Sequence, residues 1–275
     1  MPLVPSRSAL SRGGRLARRA MGVVLIAPAG LIAQGAATGL ARLPAGTYVP
    51  LYASEPGRPQ AVGAFQLDRG QVTRGDYLAF VRSHPEWQRG RLRAVYADGG
   101  YLADWPAPLD AGTGNELSLP VTSVSWFAAR TYCAAQGKRL PTVDEWEYAA
   151  AASETRRDAT RDPAFIRRVL ELYGSRSATD RLAPHAGFRN IYGVEGLHGS
   201  AWEWTEDFNS VLVSADSREA GGTTRHTDFQ SVCASAAIGA SDPSNYPAFM
   251  RYAFRAALDG RSTVRSLGFR CAASP

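Results

Sequence analysis

The segment at residues 196–207, with the sequence GLHGSAWEWTED, constrains the fold more than any other part of the chain. Its twelve residues hold two of the six tryptophans, three carboxylates and one of the four histidines. Apolar and charged residues mix there without the period of an amphipathic helix, and Gly196 and Gly199 permit unusual backbone angles. The pattern predicts a tightly folded loop anchored by its tryptophan rings. Two interpretations stay open: a structural loop, or a cation site of carboxylate and carbonyl oxygens, which hard cations prefer.

Two capped helices are predicted before this loop. Ser125 is suited to cap a first helix over residues 126–136, and Gly137 is suited to end it. Thr142 and Glu145 form a capping box, so a second helix is expected to begin after Thr142. Three carboxylates in its first turns suit the positive end of the helix dipole, and capping explains them better than catalysis. These are Asp144, Glu145 and Glu147.

The rest of the chain predicts a single α+β domain that is rich in loops and covers residues 37–275. Strands are expected at residues 43–52, 60–67 and 267–272, and helices at residues 73–82 and 164–173. Residues 246–258 fit either a strand or a helix.

The first 36 residues have the order of a secretory signal peptide. An arginine-rich stretch precedes an apolar run at residues 20–33, and small residues follow at 35–37. We therefore expect residues 1–36 to direct export to the periplasm or the cell exterior. The apolar run is short and contains Pro28, so no permanent membrane span is expected, and an uncleaved anchor is the alternative.

The net charge argues against a nucleic-acid partner. The formal charge of the chain is +6, and five arginines of the signal-like segment account for most of it. Their removal leaves about +1 (6 − 5), which gives no electrostatic reason to expect nucleic-acid binding.

Three cysteines, Cys133, Cys233 and Cys271, are widely spaced and form no CxxC pair. This spacing argues against zinc ribbons and thioredoxin-type redox sites. In an oxidising compartment one pair can be bridged, which leaves one thiol.

Three long motifs follow one another along the chain. They are PVTSVSWFAARTYCAAQGKRLPTVDEWEYAA at residues 120–150, NIYGVEGLHGSAWEWTED at residues 190–207 and LGFRCA at residues 267–272. Together they resemble the formylglycine-generating enzyme (sulfatase-modifying factor) family, and QVTRGDYLAF at residues 71–80 is similar to that family's first helix. The resemblance covers about residues 43–273 and implies a loop-rich variant of the C-type-lectin-like α+β fold.

The resemblance also implies a chemistry, and the cysteines bear on it. Enzymes of the family use copper and O2 to oxidise a cysteine of sulfatase precursors to formylglycine, with two thiolates as ligands of the soft copper(I) ion. Cys233 stands where the first thiol is expected, and the second position falls within residues 246–250, which contain no cysteine. Cys233 is therefore the one candidate catalytic residue. We expect the family's usual activity to be absent and leave copper binding open.

A structural disulfide between Cys133 and Cys271 is a further implication of the resemblance. It joins the helix at residues 126–136 to the closing strand, and closure of so long a loop stabilises a fold by a few kcal/mol. The alternative is a pair of unbonded buried thiols.

The resemblance places a calcium site in the loop at residues 196–207. Its implied ligands are the backbone oxygens of Gly199 and Ala201 and the carboxylate of Glu203. Gly196 replaces the family's side-chain ligand at the preceding position, and Glu195 is a candidate substitute. Calcium is accordingly a candidate cofactor.

The C-terminal third suggests a subgroup. CASAAIGASDP at residues 233–243 and FMRYAFRAAL at residues 249–258 are similar to exported family members found with copper nitrite reductases as accessory proteins. This likeness predicts an accessory or maturation factor for copper-dependent nitrite reduction, with the reductase or another exported protein as partner. Two alternatives stay open: a copper- and O2-dependent oxidase that modifies a protein or small thiol through Cys233, and a non-catalytic lectin-like binding module.

Overall fold

The computed structural model describes residues 39–51, 57–174, 187–209 and 246–275. The chain divides into two compact units, Met1–Gln34 and Gly35–Pro275, and every described residue belongs to the second unit. The predicted signal peptide lies outside the described residues. Within the described part, no helix is both long enough and apolar enough to cross a bilayer.

Short strands and helices alternate with long loops. The strands are β1 (Leu40–Leu43), β2 (Gly46–Tyr48), β3 (Gln60–Val62), β4 (Phe65–Asp68), β5 (Trp202–Glu203), β6 (Leu267–Gly268) and β7 (Ala272–Ala273). The α-helices are α1 (Arg74–Ser83), α2 (Trp126–Ala135), α3 (Val143–Ala150), α4 (Pro163–Gly174) and α5 (Tyr246–Ala256), with 3-10 helices at Pro85–Trp87 and Gly114–Ser118. The predicted mixture of helices and sheets is thereby confirmed.

Three small sheets connect distant parts of the chain. β4 lies between β1 and β7 in an antiparallel sheet, with Leu67 opposite both Ala41 and Ala272. β2 pairs with β3, and β5 pairs in parallel with β6, so that Trp202 lies opposite Leu267. The β5–β6 pair attaches the tryptophan-rich loop to the C-terminal segment that carries Arg270.

Three predicted strands are each divided in the structure. The closing strand predicted at residues 267–272 is split into β6 and β7, which belong to different sheets. The strand predicted at residues 43–52 is split into β1 and β2 next to Pro44, which has no backbone N–H to donate to a sheet. The strand predicted at residues 60–67 is split into β3 and β4 at Gly63. At these breaks the chain leaves one sheet and enters another, since β1 pairs with β4 whereas β2 pairs with β3. The ambiguous segment at residues 246–258 is a helix over most of its length.

The helix caps predicted at Ser125 and at Thr142 with Glu145 are confirmed. Thr73 and Asp76 form a capping box at the start of α1, and Ser125 accepts a hydrogen bond from a backbone N–H at the start of α2. Thr142 and Glu145 form the capping box of α3. These caps satisfy backbone N–H groups that the first turn of a helix leaves without partners, so each helix begins at a defined residue.

Aromatic rings between α1, α2 and the segment after β6 form the main core. The Tyr77 ring stacks on Tyr132 with centroids 5.7 Å apart and meets Phe269 edge-on at 6.1 Å. Phe269 precedes Arg270, whose side chain is 0% exposed. The core therefore holds the backbone that presents Arg270 to the tryptophan-rich loop.

Candidate functional site

The tryptophan-rich loop, residues 196–207, directs the carboxylate of Glu203 into the interior. Arg270 pairs with it in a bidentate manner, with Nε 2.7 Å from Oε2 and Nη2 2.7 Å from Oε1, and both side chains are 0% exposed. Trp146 donates its indole N–H to Oε2 at 2.8 Å, and Gln71 donates its amide to Oε1 at 2.8 Å. Each carboxylate oxygen therefore accepts two hydrogen bonds, and the planar guanidinium fixes the orientation of the pair.

These contacts do not fit the calcium site that was predicted at Gly199, Ala201 and Glu203. The amide nitrogen of Gln71 donates both to the Glu203 carboxylate and to the carbonyl oxygen of Ala201, the latter at 2.9 Å. One N–H donor group thus joins two of the three expected ligands, and Arg270 supplies the positive charge. A calcium ion would have to displace both, so we find no support for calcium at Glu203.

The expected substitute ligand is also engaged elsewhere. The carboxylate of Glu195 lies 3.0 Å from Nε of Arg189 in an ion pair. Ser200 donates its hydroxyl to the side-chain oxygen of Gln71 at 2.5 Å, which orients the Gln71 amide. Among the described residues, no group of three or more His, Cys, Asp or Glu side chains is arranged to hold a metal ion.

A second buried carboxylate, Glu147 of α3, accepts hydrogen bonds from two arginines of α5. Nη2 of Arg251 lies 2.5 Å from Oε2, and Nη1 of Arg255 lies 2.8 Å from Oε1. Burial raises the pKa of Glu147, but the two arginines outweigh it and lower that pKa to about 2. The prediction that Glu147 caps α3 is therefore wrong: it is an ionised partner of α5, and Glu145 supplies the cap.

The indole of Trp146 lies between the two networks. Its N–H donates to Glu203, and the guanidinium carbons of Arg251 and Arg255 lie 5.3 and 4.9 Å from its ring centroid. At these distances the ring face attracts both cations. Trp146 therefore couples the tryptophan-rich loop to α5.

A narrow cleft, partly open to solvent and with room for about one water molecule, lies between α5 and the tryptophan-rich loop. The rings of Trp202 and Phe254 stack along one side with centroids 4.8 Å apart, and Arg251 and Arg255 also line it. Among the described residues that line this cleft, none is a cysteine, serine or histidine. The two lining networks hold their carboxylates in ion pairs, and the described walls provide no cysteine, serine or histidine as a nucleophile.

Two of the three cysteines form a disulfide bond with each other. Cys133 of α2 and Cys271 form a disulfide with a Cα–Cα distance of 5.6 Å, and both residues are fully buried. Cys233 lies outside the described residues. Residues 246–250, where the second family thiol was expected, form the first turn and a half of α5 and contain no cysteine. Since the chain has three cysteines, at most one free thiol remains.

Sequence reasoning missed four of the polar residues that build these networks. They are Gln71, Arg251, Arg255 and Arg270. The spacing of Arg251 and Arg255, four residues apart, would place both on one helix face, but it became informative only once the segment was known to be helical. Gln71 gave no signal in the sequence, because its partners are more than a hundred residues away.

Comparisons with known proteins agree with the motifs. The sequence model described as "Sulfatase-modifying factor enzyme 1-like domain" matches residues 14–275. Inactive C-alpha-formylglycine-generating enzyme 2 of Bos taurus is 36% identical over 115 residues, which are 38% of this chain and 38% of that protein. Formylglycine-generating enzyme of Mus musculus is 28% identical over 263 residues, 79% of this chain and 68% of that protein. Hercynine oxygenase of Mycobacterium tuberculosis is 28% identical over 160 residues, 52% of this chain and 38% of that protein.

The match thus spans less than two thirds of the bovine and mycobacterial relatives. The family model, by contrast, matches nearly the whole of this chain, and all three motifs lie within the matched residues. The resemblance seen in the sequence is confirmed at the level of the family: the chain belongs to the sulfatase-modifying factor family, which includes the formylglycine-generating enzymes.

Proposed function

We propose that this protein is an exported accessory or maturation factor for copper-dependent nitrite reduction, and that it does not carry out the family's oxidation of cysteine. The observation that carries the proposal is the thiol count. With Cys133 and Cys271 joined, Cys233 is the only thiol that the chain can offer. A copper(I) site made of two thiolates needs a second sulfur, so one chain does not form it.

Three further features support this role. The signal-like segment at residues 1–36 favours export, and the sequence of residues 233–258 is similar to family members that accompany copper nitrite reductases. One relative is named an inactive formylglycine-generating enzyme, so loss of the oxidation within the family has a precedent in name. The described walls of the cleft beside α5 include no cysteine, serine or histidine that could act as a nucleophile.

We also infer that the domain is the loop-rich variant of the C-type-lectin-like fold. Its small sheets and long connections support this inference. Because a fold does not determine an activity, the accessory role rests on the thiol count and not on the fold.

The proposed function is tested by deletion in the source organism. We expect the deletion strain to show lower copper nitrite reductase activity and lower copper content in the purified reductase. Wild-type protein supplied from a plasmid should restore both. Activity and copper content that are unchanged by the deletion would remove the proposal.

Two variants sharpen this experiment. A variant that lacks residues 1–36 should fail to restore activity, because it stays in the compartment where it is made. The Cys233→Ser variant should restore activity fully, because the proposed role uses no thiol chemistry. If the Cys233→Ser variant also fails, the result favours the second candidate, an oxidase that uses Cys233 as its single thiolate. The observation that favours this candidate is the one cysteine left outside the disulfide.

A further inference from the structure

A single lysine lies beside the disulfide. The chain has 31 lysine and arginine residues, of which 30 are arginines (31 − 1), and Lys138 is the only lysine. Its ammonium nitrogen lies 2.5 Å from Oδ1 of Asp68, the last residue of β4. The side chain of Asp68 is 4% exposed and that of Lys138 is 20% exposed. The pair is therefore largely shielded from the water that weakens ion pairs on a protein surface.

Both members of this ion pair also bond to the backbone of a cysteine. Asp68 donates its backbone N–H to the carbonyl oxygen of Cys271 at 2.9 Å, and its Oδ2 accepts the Cys271 N–H at 3.0 Å. Lys138 donates its backbone N–H to the carbonyl oxygen of Cys133 at 2.8 Å. A non-covalent path through Lys138 and Asp68 thus joins the same two residues that the disulfide joins.

The two carboxylate oxygens of Asp68 explain why a lysine suits this position. Oδ2 already accepts the N–H of Cys271, so Oδ1 is the oxygen that is left for a cation. An ammonium group is a point charge that can serve one oxygen, whereas the planar guanidinium of an arginine is suited to both oxygens and would compete with Cys271. Burial raises the pKa of Asp68, and Lys138 is the strongest of the groups that lower it.

Other backbone contacts hold the same segments together without the ion pair. Arg139, the residue after Lys138, exchanges two backbone hydrogen bonds with Ala272, at 2.9 and 2.7 Å. Ala272 in turn lies opposite Leu67 in the pairing of β4 with β7. A protein that lacks the ion pair should therefore still fold, so its disulfide can be studied in the native state.

We propose that Lys138 and Asp68 are positioning residues for the disulfide: they hold Cys133 and Cys271 within bonding distance when both are thiols. The bond then forms, and re-forms after reduction, within a domain that is already folded. The oxidant is a small-molecule disulfide such as glutathione disulfide. Its S–S bond breaks as the S–S bond of the protein forms, the two protein thiols give up two electrons, and their protons leave on two molecules of reduced glutathione. This inference does not depend on the proposed accessory role.

The equilibrium with glutathione measures the positioning as an effective concentration of one thiol at the other. The purified protein is incubated at pH 7 in mixtures of reduced and oxidised glutathione, and mass spectrometry of the peptides that carry Cys133 and Cys271 gives the bonded fraction. We expect Lys138→Met to lower the effective concentration about fivefold or more, because the ion pair and the disulfide reinforce one another. Asp68→Asn, which retains an acceptor for the Cys271 N–H, should have a similar effect.

Asp104→Asn is the matched control. Asp104 pairs with Arg74 at comparable burial, and among the described residues neither side chain is hydrogen-bonded to a cysteine. This variant should lose stability in urea and keep the effective concentration of the wild type, with near-ultraviolet circular dichroism used to verify that each reduced protein is folded. If Lys138→Met and Asp68→Asn behave like Asp104→Asn, their ion pair is only structural and the proposal is overturned.

A measurement on the wild type decides the question even if a reduced variant does not fold. Lys138 carries the only side-chain amine of the chain, so its acylation by an amine reagent can be followed in one peptide. We expect acylation in the reduced native protein to be about tenfold slower, or more, than in the same protein unfolded in urea, because Asp68 still holds the ammonium group. Equal rates would mean that the ion pair does not outlast the disulfide, which contradicts the proposal.

Discussion

Glu147 is the residue on which the position of α5 depends. Its carboxylate is the anion that both Arg251 and Arg255 contact, and all three side chains are less than 9% exposed. Removal of a single partner from a buried ion pair leaves an uncompensated charge, which costs far more than the pair itself contributes. The arrangement is therefore sensitive to one substitution.

We predict that Glu147→Gln lowers the free energy of unfolding by about 3–5 kcal/mol, measured by urea denaturation at pH 7. Glu154→Gln is the matched control, because Glu154 pairs with Arg168 at the surface with both side chains more than 40% exposed. That variant should lose less than about 1 kcal/mol. If the two substitutions lowered the free energy of unfolding equally, the buried ion pairs of Glu147 with Arg251 and Arg255 would be contradicted.

The difference in stability between the wild type and Glu147→Gln should depend on pH. The pKa of Glu147 is about 2 in the folded protein, below its ordinary value of 4.5. A lowered pKa contributes stability that is present above the unfolded value and is lost as the pH falls toward the folded value. The stability gap between the wild type and Glu147→Gln should thus be constant above pH 4.5 and narrow between pH 4.5 and 2.

The Gln71 amide lies between two of the expected calcium ligands of the tryptophan-rich loop. Because this amide already joins Ala201 to Glu203, we predict that EDTA leaves the melting temperature unchanged and that added Ca²⁺ does not raise it. Gln71→Ala should lower the free energy of unfolding by about 1–3 kcal/mol, since two buried acceptors lose a donor. Gln60→Ala, at an exposed position, is the control. A melting temperature that falls with EDTA and recovers with Ca²⁺ would instead support the predicted calcium site.

At the scale of elements, the disulfide ties α2 to the segment between β6 and β7. Its two cysteines are separated by 138 residues, so it restricts most of the unfolded domain. That segment also carries Arg270, which means that the covalent bond and the buried ion pair hold the same backbone.

We predict that the double substitution Cys133→Ser with Cys271→Ser destabilises the protein by about 4 kcal/mol, which lowers the melting temperature by on the order of 10 °C. Scanning calorimetry with and without a reductant measures this change. Cys233→Ser should leave the melting temperature unchanged. In the wild-type protein, the thiol of Cys233 should be the one that a labelling reagent detects without reduction. Detection of three reactive thiols in the native protein would contradict the bond.

Elements whose signals are local could be predicted from the sequence. Thr142 and Glu145 are three residues apart, and the capping box they form needs nothing from the rest of the chain. The division of the first strand next to Pro44 was missed, because its two halves belong to different sheets whose partners lie elsewhere. Local chemistry fixes where a helix begins, whereas the length of a strand depends on its neighbours.

At the scale of the whole molecule, the motifs indicated the family but not the site. The polar networks connect Gln71, Glu147, Glu203, Arg251 and Arg270, which are drawn from five separate parts of the chain. No single window of sequence contains both members of any of these ion pairs. A pattern of charges was visible in the sequence, but which charge meets which depends on the packing of α3, α5 and β6.

The pairing of β4 with β7 has a consequence for how the chain is made. Gln66 lies opposite Ala273, so β4, the middle strand of that sheet, lacks one of its partners until about two hundred further residues have been synthesised. Until then one side of β4 offers unpaired N–H and C=O groups, which can associate with any extended peptide nearby. A nascent chain, or one shortened before Ala272, is therefore vulnerable to aggregation along that edge, and a factor that shields extended segments would protect it during biosynthesis.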